Sequence, residues 1–319
     1  MQYKLLSLLL ISTIVWYTNQ PSKQRFQRGF SNDFKAFLDQ KYKLWGFHRP
    51  DIISGCYGGA ETRPTQKPSK IPIIFIHGNS DVAVGDGSYG NYMTGFSSQI
   101  EYFLNQGYEK QDLYATTWGD ADPATANLNY HSENYLKYNR AFVEAVLEYT
   151  QSPYVNIISH SMGVTLARKV VKGGIGHDEL GSGRYDLGDP LTSNIKVFVG
   201  LAGGNLGLSS CYTAGTSLPS CGLTNGFYPG QPPYIGRSTF LEELDSNSAK
   251  EAKYVVTGRA NYDEIIGGNN LVWGKYTTRI KNENDEIVFN SPTIGHFGLR
   301  DEAGPEIYSI LKKQGAINQ

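Results

Sequence analysis

The fold is decided by one stretch of the sequence, Tyr154-Val-Asn-Ile-Ile-Ser-His-Ser-Met-Gly163. Its first half, Tyr154–Ile158, is mostly apolar and predicts a strand. The segment that follows, Val164–Val171, is apolar on most sides and predicts a helix. A strand that passes directly into a helix forces the chain to turn sharply at Ser161, which lifts the serine hydroxyl above the sheet.

The residues two positions before and after Ser161 must be small, because the strand and the helix cross there. The usual pattern is Gly-x-Ser-x-Gly, and these two positions are Ser159 and Gly163 here. The start of the helix also directs backbone N–H groups and a positive dipole end at any oxyanion that forms beside the serine. Ser161 is therefore our candidate nucleophile, and the alternative is a serine that only caps the helix.

A second apolar run, Pro72–Ile76, is followed by His77-Gly78-Asn79. Acyl transfer places negative charge on a carbonyl oxygen, and two preorganised backbone N–H groups stabilise that charge. Next to a serine of this kind, the donors come from the residue after it and from the loop after the His-Gly strand. We therefore predict Met162 and Asn79 as the oxyanion hole. His77 precedes Ser161, which is the wrong order for the base, and is predicted to be a packed structural histidine.

The general base is expected after the last strand. Glu286–Phe289 has the character of that strand, and Ile294-Gly-His-Phe-Gly298 follows it. Two glycines allow the loop to bring His296 over the sheet, so His296 is our candidate base. The remaining histidines are predicted to lie in polar loops or helices: His48, His131, His160 and His177.

Two aspartates compete for the role of the acid, because Asp263-Glu-Ile-Ile266 and Asp285-Glu-Ile-Val288 have nearly the same sequence. The chain order serine, acid, histidine admits both. The interval from Asp263 to His296 accommodates a crossover and a final strand, whereas the interval from Asp285 accommodates only the strand. Asp263 is therefore preferred, and Asp285 is the alternative, a turn residue that would otherwise open the last strand.

The rest of the chain alternates strand-like and helical patterns. Further strands are predicted at 112–118, 195–201 and 253–257, and helices at 32–40, 96–106, 135–149, 239–246 and 306–313. This alternation implies βαβ crossovers and hence an α/β fold with a mainly parallel sheet covered by helices on both faces. We predict one domain over 71–319 with an insertion at about 203–237, preceded by an N-terminal extension over 21–70.

The first 20 residues have the features of a secretory signal peptide. Lys4 precedes the apolar run Leu5–Trp16, which is too short for a transmembrane helix, and the polar residues Thr18-Asn-Gln20 follow it. A buried N-terminal helix is the alternative. We predict a secreted, extracellular protein without a membrane span.

Secretion permits disulfides, and the chain has three cysteines. Cys211 and Cys221 flank a turn-rich loop that a disulfide could close, although a bridge from either of them to Cys56 is not excluded by the sequence. Cysteines and histidines do not occur at the spacing of metal ligands, so no metal site is predicted.

Composition narrows the class of function. The 319 residues include 29 Lys and Arg and 30 Asp and Glu, for a net charge of −1, and 39% are hydrophobic. The hydrophobic content excludes disorder, and the neutral charge argues against binding to nucleic acid or to an anionic membrane surface.

Five motifs together resemble the class 2 lipase family of the α/β-hydrolase superfamily, in particular its secreted nematode branch, over Ile71 to Arg300. They are Ile76-His-Gly78, Ser159-His-Ser-Met-Gly163, Gly200-Leu-Ala-Gly-Gly-Asn205, Tyr262-Asp-Glu-Ile-Ile-Gly267 with Leu271-Val-Trp-Gly274, and Gly295-His-Phe-Gly298. Small bacterial members carry alanine at the position of Ser159, and the family pattern also implies Asp263 as the acid.

The resemblance implies an α/β-hydrolase fold and a serine hydrolase that cleaves carboxylic esters of lipids without a cofactor. A triacylglycerol lipase acting at a lipid–water interface is expected. Five apolar side chains of the insertion could form the apolar surface that such a lipase needs near its mouth, and the alternative is that they pack the insertion onto the domain: Leu206, Leu208, Leu223, Phe227 and Tyr228. A water-soluble carboxylesterase is the alternative within this class. A hydrolase-fold protein used only for binding is the alternative from another class.

Overall fold

The computed structural model of the protein describes residues 27–87 and 92–318. The predicted signal peptide lies outside these residues. No helix in the described part of the chain is both long enough and apolar enough to cross a membrane.

Twelve strands and eight α-helices are assigned in the described residues. The strands are β1 (Gly29–Phe30), β2 (Cys56–Gly58), β3 (Ile73–Ile76), β4 (Leu113–Thr116), β5 (Val155–His160), β6 (Ile175–Asp178), β7 (Gly183–Asp186), β8 (Ile195–Leu201), β9 (Tyr254–Ala260), β10 (Leu271–Val272), β11 (Lys275–Tyr276) and β12 (Asp285–Phe289). The helices are α1 (Asn32–Lys41), α2 (Ser97–Asn105), α3 (Glu133–Thr150), α4 (Met162–Lys172), α5 (Ser209–Ala214), α6 (Thr239–Ser246), α7 (His296–Glu302) and α8 (Gly304–Lys313).

Eight strands form one sheet in the order β1-β2-β4-β3-β5-β8-β9-β12. The six strands from β4 to β12 in this order pair in parallel, whereas β2 pairs antiparallel with β4. Two small antiparallel hairpins, β6–β7 and β10–β11, lie outside this sheet. The predicted α/β fold with a mainly parallel central sheet is confirmed.

Both faces of the sheet are buried because the strands are apolar at successive positions. In β3, Ile74 and Ile76 belong to one hydrophobic cluster, while Ile73 and Phe75 belong to the other. The first cluster also contains buried residues of α1, α3, α4 and α6, and the second contains those of α2, α7 and α8. Helices therefore cover each face, as the alternating pattern predicts.

The predicted strands and helices are all present, with ends that shift by a few residues. The sequence pattern does not indicate β1 and β2, which fall in the range 21–70 and extend the main sheet at one edge. The hairpins β6–β7 and β10–β11 and the helices α5 and α7 were not predicted either. These elements are short, so their local pattern is weak, and contacts from distant parts of the chain determine them.

The predicted insertion at 203–237 contains α5 and a 3₁₀ helix, Pro219–Cys221. Cys211 and Cys221 form a disulfide that joins these two elements. Cys56 is a free, buried thiol, and burial raises its pKa to about 11. A thiol of this kind is protonated at neutral pH and is a poor nucleophile.

Candidate active site

Ser161 occupies the turn between β5 and α4 in a strained conformation, with φ 55° and ψ −128°. Its backbone N–H donates to the carbonyl of Leu201 at 2.8 Å, which fixes the turn against the neighbouring strand. A Cβ atom on Gly163 would lie 2.2 Å from the carbonyl oxygen of His77, so this position must be glycine. Strain of this kind concentrates at functional sites, where it aims a side chain.

Ser159, the departure from the usual glycine, is fully buried, and its hydroxyl donates to the carbonyl of Val199 at 2.9 Å. The side chain is therefore accommodated by a hydrogen bond to the adjacent strand β8. A buried hydroxyl with a satisfied hydrogen bond costs little stability.

The loop after β3 passes directly beside the turn at Ser161. A Cβ on Gly78 would lie 2.9 Å from Cβ of Ser161, so only glycine allows this approach. Asn79 follows, and its side-chain amide donates to the carbonyl of Ala126 at 2.7 Å while its Oδ1 accepts from Asn129 at 2.8 Å. These bonds hold Asn79 in place, and its backbone lies in the loop predicted to supply an oxyanion donor.

Met162 is the first residue of α4. The first N–H groups of an α-helix have no acceptor within the helix and remain available to a ligand. Asn79, Ser161 and Met162 all line one cavity of about 270 Å³. The structure therefore brings these three predicted site residues together.

His296 begins α7 and is 2% exposed. Its Nδ1 lies 2.8 Å from Oδ2 of Asp263, and the two atoms form a hydrogen bond. Donation from Nδ1–H to the carboxylate leaves Nε2 as the basic ring nitrogen. An imidazole oriented in this way can accept a proton and carry a positive charge that the carboxylate compensates.

Asp263 is held by its own loop after β9. Its Oδ1 accepts hydrogen bonds from the backbone N–H groups of Ile265 at 3.0 Å and Ile266 at 2.7 Å. The other oxygen is thereby directed to His296. The carboxylate is buried and satisfied on both oxygens, as a group that orients an imidazole requires.

Glu264 holds the backbone of His296 in position beside Asp263. Its Oε2 accepts a hydrogen bond from the backbone N–H of His296 at 2.9 Å. A Cβ on Gly295 would lie 2.0 Å from the same carboxylate oxygen, so a larger residue there would displace the Glu264 carboxylate from this hydrogen bond. Glu264 was not among the site residues predicted from the sequence. Its position next to the candidate acid was the only available signal.

His160 connects the serine turn to the histidine loop. The ring of His160, which directly precedes Ser161, lies 4.5 Å from the ring of His296 between centroids. Its Nε2 donates to the carbonyl of His296 at 3.1 Å. Burial lowers the pKa of His160 well below its usual value, and the nearby guanidinium of Arg300 acts in the same direction. His160 is therefore neutral and holds the loop by this hydrogen bond.

Asp285, the alternative acid, lies at the other end of the sheet. It is the first residue of β12 and pairs with Val256, whereas Asp263 follows the last residue of β9, Ala260. Asp285 is exposed, and its Oδ1 accepts from the N–H of Glu286 at 2.9 Å. It has the geometry of a turn residue that opens a strand.

Three other histidines have structural environments. His77 stacks on Trp118, accepts from the Trp118 backbone N–H at 3.1 Å, and has a pKa that burial lowers to about 3. It is the packed residue that the sequence analysis expected. His131 was expected in a polar loop or a helix. It lies in a loop, but its ring is fully buried against Phe227 and Phe240, so the expected polar surroundings are wrong. His160 is also buried, at 1% exposure, because it forms the end of a central strand.

A buried ion pair that the sequence analysis missed ties the loop after β3 to α7. Arg300 Nη1 donates to Asp81 Oδ2 at 2.6 Å, and the two side chains are 0% and 3% exposed. Burial raises the pKa of Asp81 to about 6, although the guanidinium of Arg300 opposes this shift. The pair joins the segment that contains Asn79 to the helix that begins at His296. The sequence does contain one indication of this ion pair, because Asp81 is the one charged residue among the small and apolar residues of 80–84.

The cavity at Ser161 also receives part of the insertion. Leu208 and Phe227 line it, as expected for apolar residues near the mouth. Leu206 and Leu223 line other surface cavities. The insertion therefore contributes two of its apolar residues to the wall of this cavity and places others elsewhere.

A family model described as lipase (class 2) matches residues 70–297. This chain belongs to the class 2 lipases. The match includes Ser161, Asp263 and His296. Membership of the family supports a carboxylic ester hydrolase. A search of curated protein sequences finds no match.

Solved structures with a similar fold are distant in sequence. Lipase B of Aspergillus fumigatus is 15% identical with a TM-score of 0.45, and the match covers 73% of this chain and 48% of that protein. The mature lipase BlEst2 of Bacillus licheniformis is 12% identical with a TM-score of 0.46, over 81% and 96% of the two chains. A truncated carbohydrate esterase from gut microbiota is 13% identical with a TM-score of 0.48, over 83% and 93%. The chain thus spans about half of the Aspergillus lipase.

Proposed function

We propose that this class 2 lipase is a secreted serine hydrolase that cleaves carboxylic esters of lipids, and that Ser161, His296 and Asp263 are its catalytic triad. The observation that carries the proposal is the buried hydrogen bond of 2.8 Å between His296 and Asp263. It is supported by the strained turn at Ser161, whose neighbour His160 packs against the ring of His296.

In the proposed reaction, the Ser161 hydroxyl oxygen attacks the ester carbonyl carbon while His296 Nε2 accepts the hydroxyl proton. The tetrahedral intermediate collapses, the bond to the alcohol breaks, and His296 returns the proton to the leaving alkoxide. Water then attacks the acyl-serine and gives its proton to His296, which passes it to Ser161 as the carboxylic acid leaves. Asp263 keeps the imidazole in the required tautomer and compensates its charge.

A tetrahedral intermediate forms in acylation and again in deacylation. We propose that its oxyanion accepts hydrogen bonds from the backbone N–H groups of Asn79 and Met162 in both steps. Their common location around the Ser161 cavity supports this assignment. One such donor contributes a factor of about 100–1,000 to kcat in enzymes of this kind.

Labelling with a fluorophosphonate tests the nucleophile. We expect wild-type protein to react and the Ser161→Ala variant to remain unlabelled and to lose turnover of p-nitrophenyl butyrate. Turnover that survives in the purified Ser161→Ala variant would overturn the proposal.

The preferred substrate is a triacylglycerol at a lipid–water interface. Ile265, which lines the cavity, is 50% exposed, and Leu128, next to the lining residue Asn127, is 55% exposed. Exposed apolar side chains at a mouth favour contact with lipid. Activity should rise sharply when tributyrin exceeds its solubility limit.

A water-soluble carboxylesterase is the second candidate, and the small volume of the cavity favours it. In that case hydrolysis of tributyrin would follow a single saturation curve through the solubility limit. The same measurement therefore separates the two candidates.

Secretion, and the assignment to the nematode branch, rest on the sequence features described above. The disulfide between Cys211 and Cys221 supports secretion, because such bonds persist in oxidising compartments. Mass determination of the N-terminus of the protein recovered from culture medium would test removal of the predicted signal peptide.

A further inference from the structure

The oxyanion donor proposed at Asn79 is not oriented by a hydrogen bond of its own. Within residues 27–87 and 92–318, the backbone N–H of Asn79 donates to no protein atom, and Asn79 lines the same cavity as Ser161. A donor stabilises an oxyanion only when it points at it, because hydrogen bonds weaken steeply below about 120°. Other contacts of the loop must therefore set the direction of this N–H.

The backbone on either side of Asn79 does not fix this direction locally. Gly78 precedes it and approaches Ser161 closely. Ser80 follows with φ 56°, a left-handed conformation that is strained in a residue other than glycine. Such conformations persist only where the surrounding structure holds them. The loop therefore depends on contacts outside itself.

The side chain of Asn79 makes such contacts. Its Nδ2 donates to the carbonyl of Ala126 at 2.7 Å. Its Oδ1 accepts from Nδ2 of Asn129 at 2.8 Å and from Oγ of Ser80 at 3.1 Å. Both ends of the amide are bonded, and the side chain shares its Cα atom with the N–H. These bonds therefore restrict rotation of the backbone at Asn79.

Asn129 is in turn held by Tyr135 of α3. Asn129 is only 5% exposed, and its Oδ1 accepts from the Tyr135 hydroxyl at 2.8 Å. The Asn129 amide must present its nitrogen to Asn79, because the reverse orientation would place oxygen against oxygen. The hydroxyl of Tyr135 bonds to the oxygen end and so keeps the amide in this orientation.

Tyr135 supports the same loop at a second point. Its ring packs on Trp118 with 4.9 Å between centroids. Trp118 Nε1 donates to the carbonyl of His77 at 3.0 Å, and the indole stacks on the His77 ring. One tyrosine therefore supports the loop both at His77 and, through Asn129, at Asn79.

We propose that Asn129 and Tyr135 are positioning residues for the oxyanion hole, which keep the Asn79 N–H directed at the reacting carbonyl oxygen. The described residues that line the cavity at Ser161 include neither of them, so both act through Asn79 and not by touching the substrate. This inference rests on the proposed function and adds to it the residues that hold one of its donors in place.

The test is kcat for p-nitrophenyl butyrate, divided by the concentration of active sites that a fluorophosphonate titrates to completion. Tyr135→Phe removes one hydroxyl and should lower this value about threefold to tenfold. Asn129→Ala removes the direct contact and should lower it about tenfold or more. KM should stay within about twofold in both variants, because the donor acts mainly in the transition state. The pH dependence of kcat/KM should be that of wild type, because His296 is unchanged.

Tyr138→Phe is the matched control. Tyr138 lies three residues further along α3, and its hydroxyl bonds to Oγ1 of Thr116 at 2.8 Å. The variant loses the same group from the same helix, and its kcat per active site should stay within about twofold of wild type. A loss of packing alone would lower the number of titrated sites without lowering kcat per site.

A kcat per site in Tyr135→Phe and Asn129→Ala that equals that of Tyr138→Phe would overturn the positioning role. A loss that appears in KM or in a shifted pH profile would overturn it as well, and each of these results leaves the proposed function intact. Should Asn129→Ala fail to fold, the two tyrosine variants decide alone. Absence of labelling together with absence of turnover in wild type would overturn the proposed function itself.

Discussion

His131 and His296 are both almost completely buried, at 0% and 2% exposure, and in both rings Nδ1 lies within 2.8 Å of an oxygen atom. The oxygen is the backbone carbonyl of Asn225 for His131 and the carboxylate of Asp263 for His296. Nε2 of His131 is occupied by the hydroxyl of Thr165 at 2.6 Å. Burial lowers the pKa of His131 to about 3.

The difference lies in what each environment can do with a proton. A carbonyl and a hydroxyl satisfy a neutral imidazole but do not compensate a positive charge, so His131 stays neutral and stabilises the packing between Phe227 and Phe240. A carboxylate compensates the charge that appears when His296 accepts a proton. Equal burial therefore supports a structural role in one case and a role in proton transfer in the other.

The largest effect is expected when the negative charge of Asp263 is removed, because this charge distinguishes the environment of His296 from that of His131. Asp263→Asn should lower kcat for p-nitrophenyl butyrate by about 10³–10⁴-fold, because an amide favours the wrong tautomer of His296 and does not compensate its charge. Steady-state kinetics of purified protein, with circular dichroism to verify folding, provide the measurement. A loss of less than tenfold would mean that the carboxylate does not distinguish His296 from His131.

Removing the structural histidine should affect stability instead. His131→Leu leaves the Asn225 carbonyl and the Thr165 hydroxyl without the ring, which should lower the free energy of unfolding by about 2–3 kcal/mol. Urea denaturation measures this change, and kcat of the folded variant should remain within about threefold of wild type. A variant of normal stability and abolished turnover would reverse the roles assigned to the two residues.

Acid should lower the stability of the folded protein through the buried ring of His131. The folded protein keeps His131 neutral down to a pKa of about 3, while the unfolded chain binds a proton near the ordinary value of 6.5. The unfolded state therefore holds more protons between these values, and stability must fall as the pH is lowered through this interval. Urea denaturation at about pH 7 and about pH 4.5 should show a loss of stability that is about 2 kcal/mol smaller in His131→Leu than in wild type.

Asp81 contributes with the opposite sign, because its raised pKa of about 6 favours the folded state in acid. That contribution is present in both proteins and cancels in the comparison. An equal acid loss in wild type and in His131→Leu would show that His131 is not kept neutral by the fold.

The smallest effect is expected for Asp285→Asn, which serves as the control for Asp263→Asn. Asp285→Asn changes the same residue type in a nearly identical sequence, but its side chain is exposed at the opposite end of the sheet. Its kcat and its free energy of unfolding should match those of wild type within about twofold and about 0.5 kcal/mol. A loss comparable to that of Asp263→Asn would exchange the two aspartates in the proposed triad.

Most of the main sheet and its covering helices could be predicted from the sequence, because long apolar runs and 3.6-residue periodicity are local signals. The helix predicted at 239–246 has those bounds in the structure. The strands β1 and β2 could not be predicted in this way, since they contain only two and three residues and form by pairing with distant segments. The candidate site was predictable to the extent that chain order and spacing constrain it, which favoured Asp263 over Asp285.

The α/β alternation, the turn at Ser161 and the set of histidines and carboxylates near it follow from the order of residues along the chain, because each depends on neighbouring residues. The contact of Asp263 with His296, the burial of His131 among apolar rings and the pair of Asp81 with Arg300 arise only in the folded molecule. These partners are separated by 33 to 219 residues in the chain. No local pattern records such a pairing, because the energy that fixes it comes from excluding water around groups that meet only after folding.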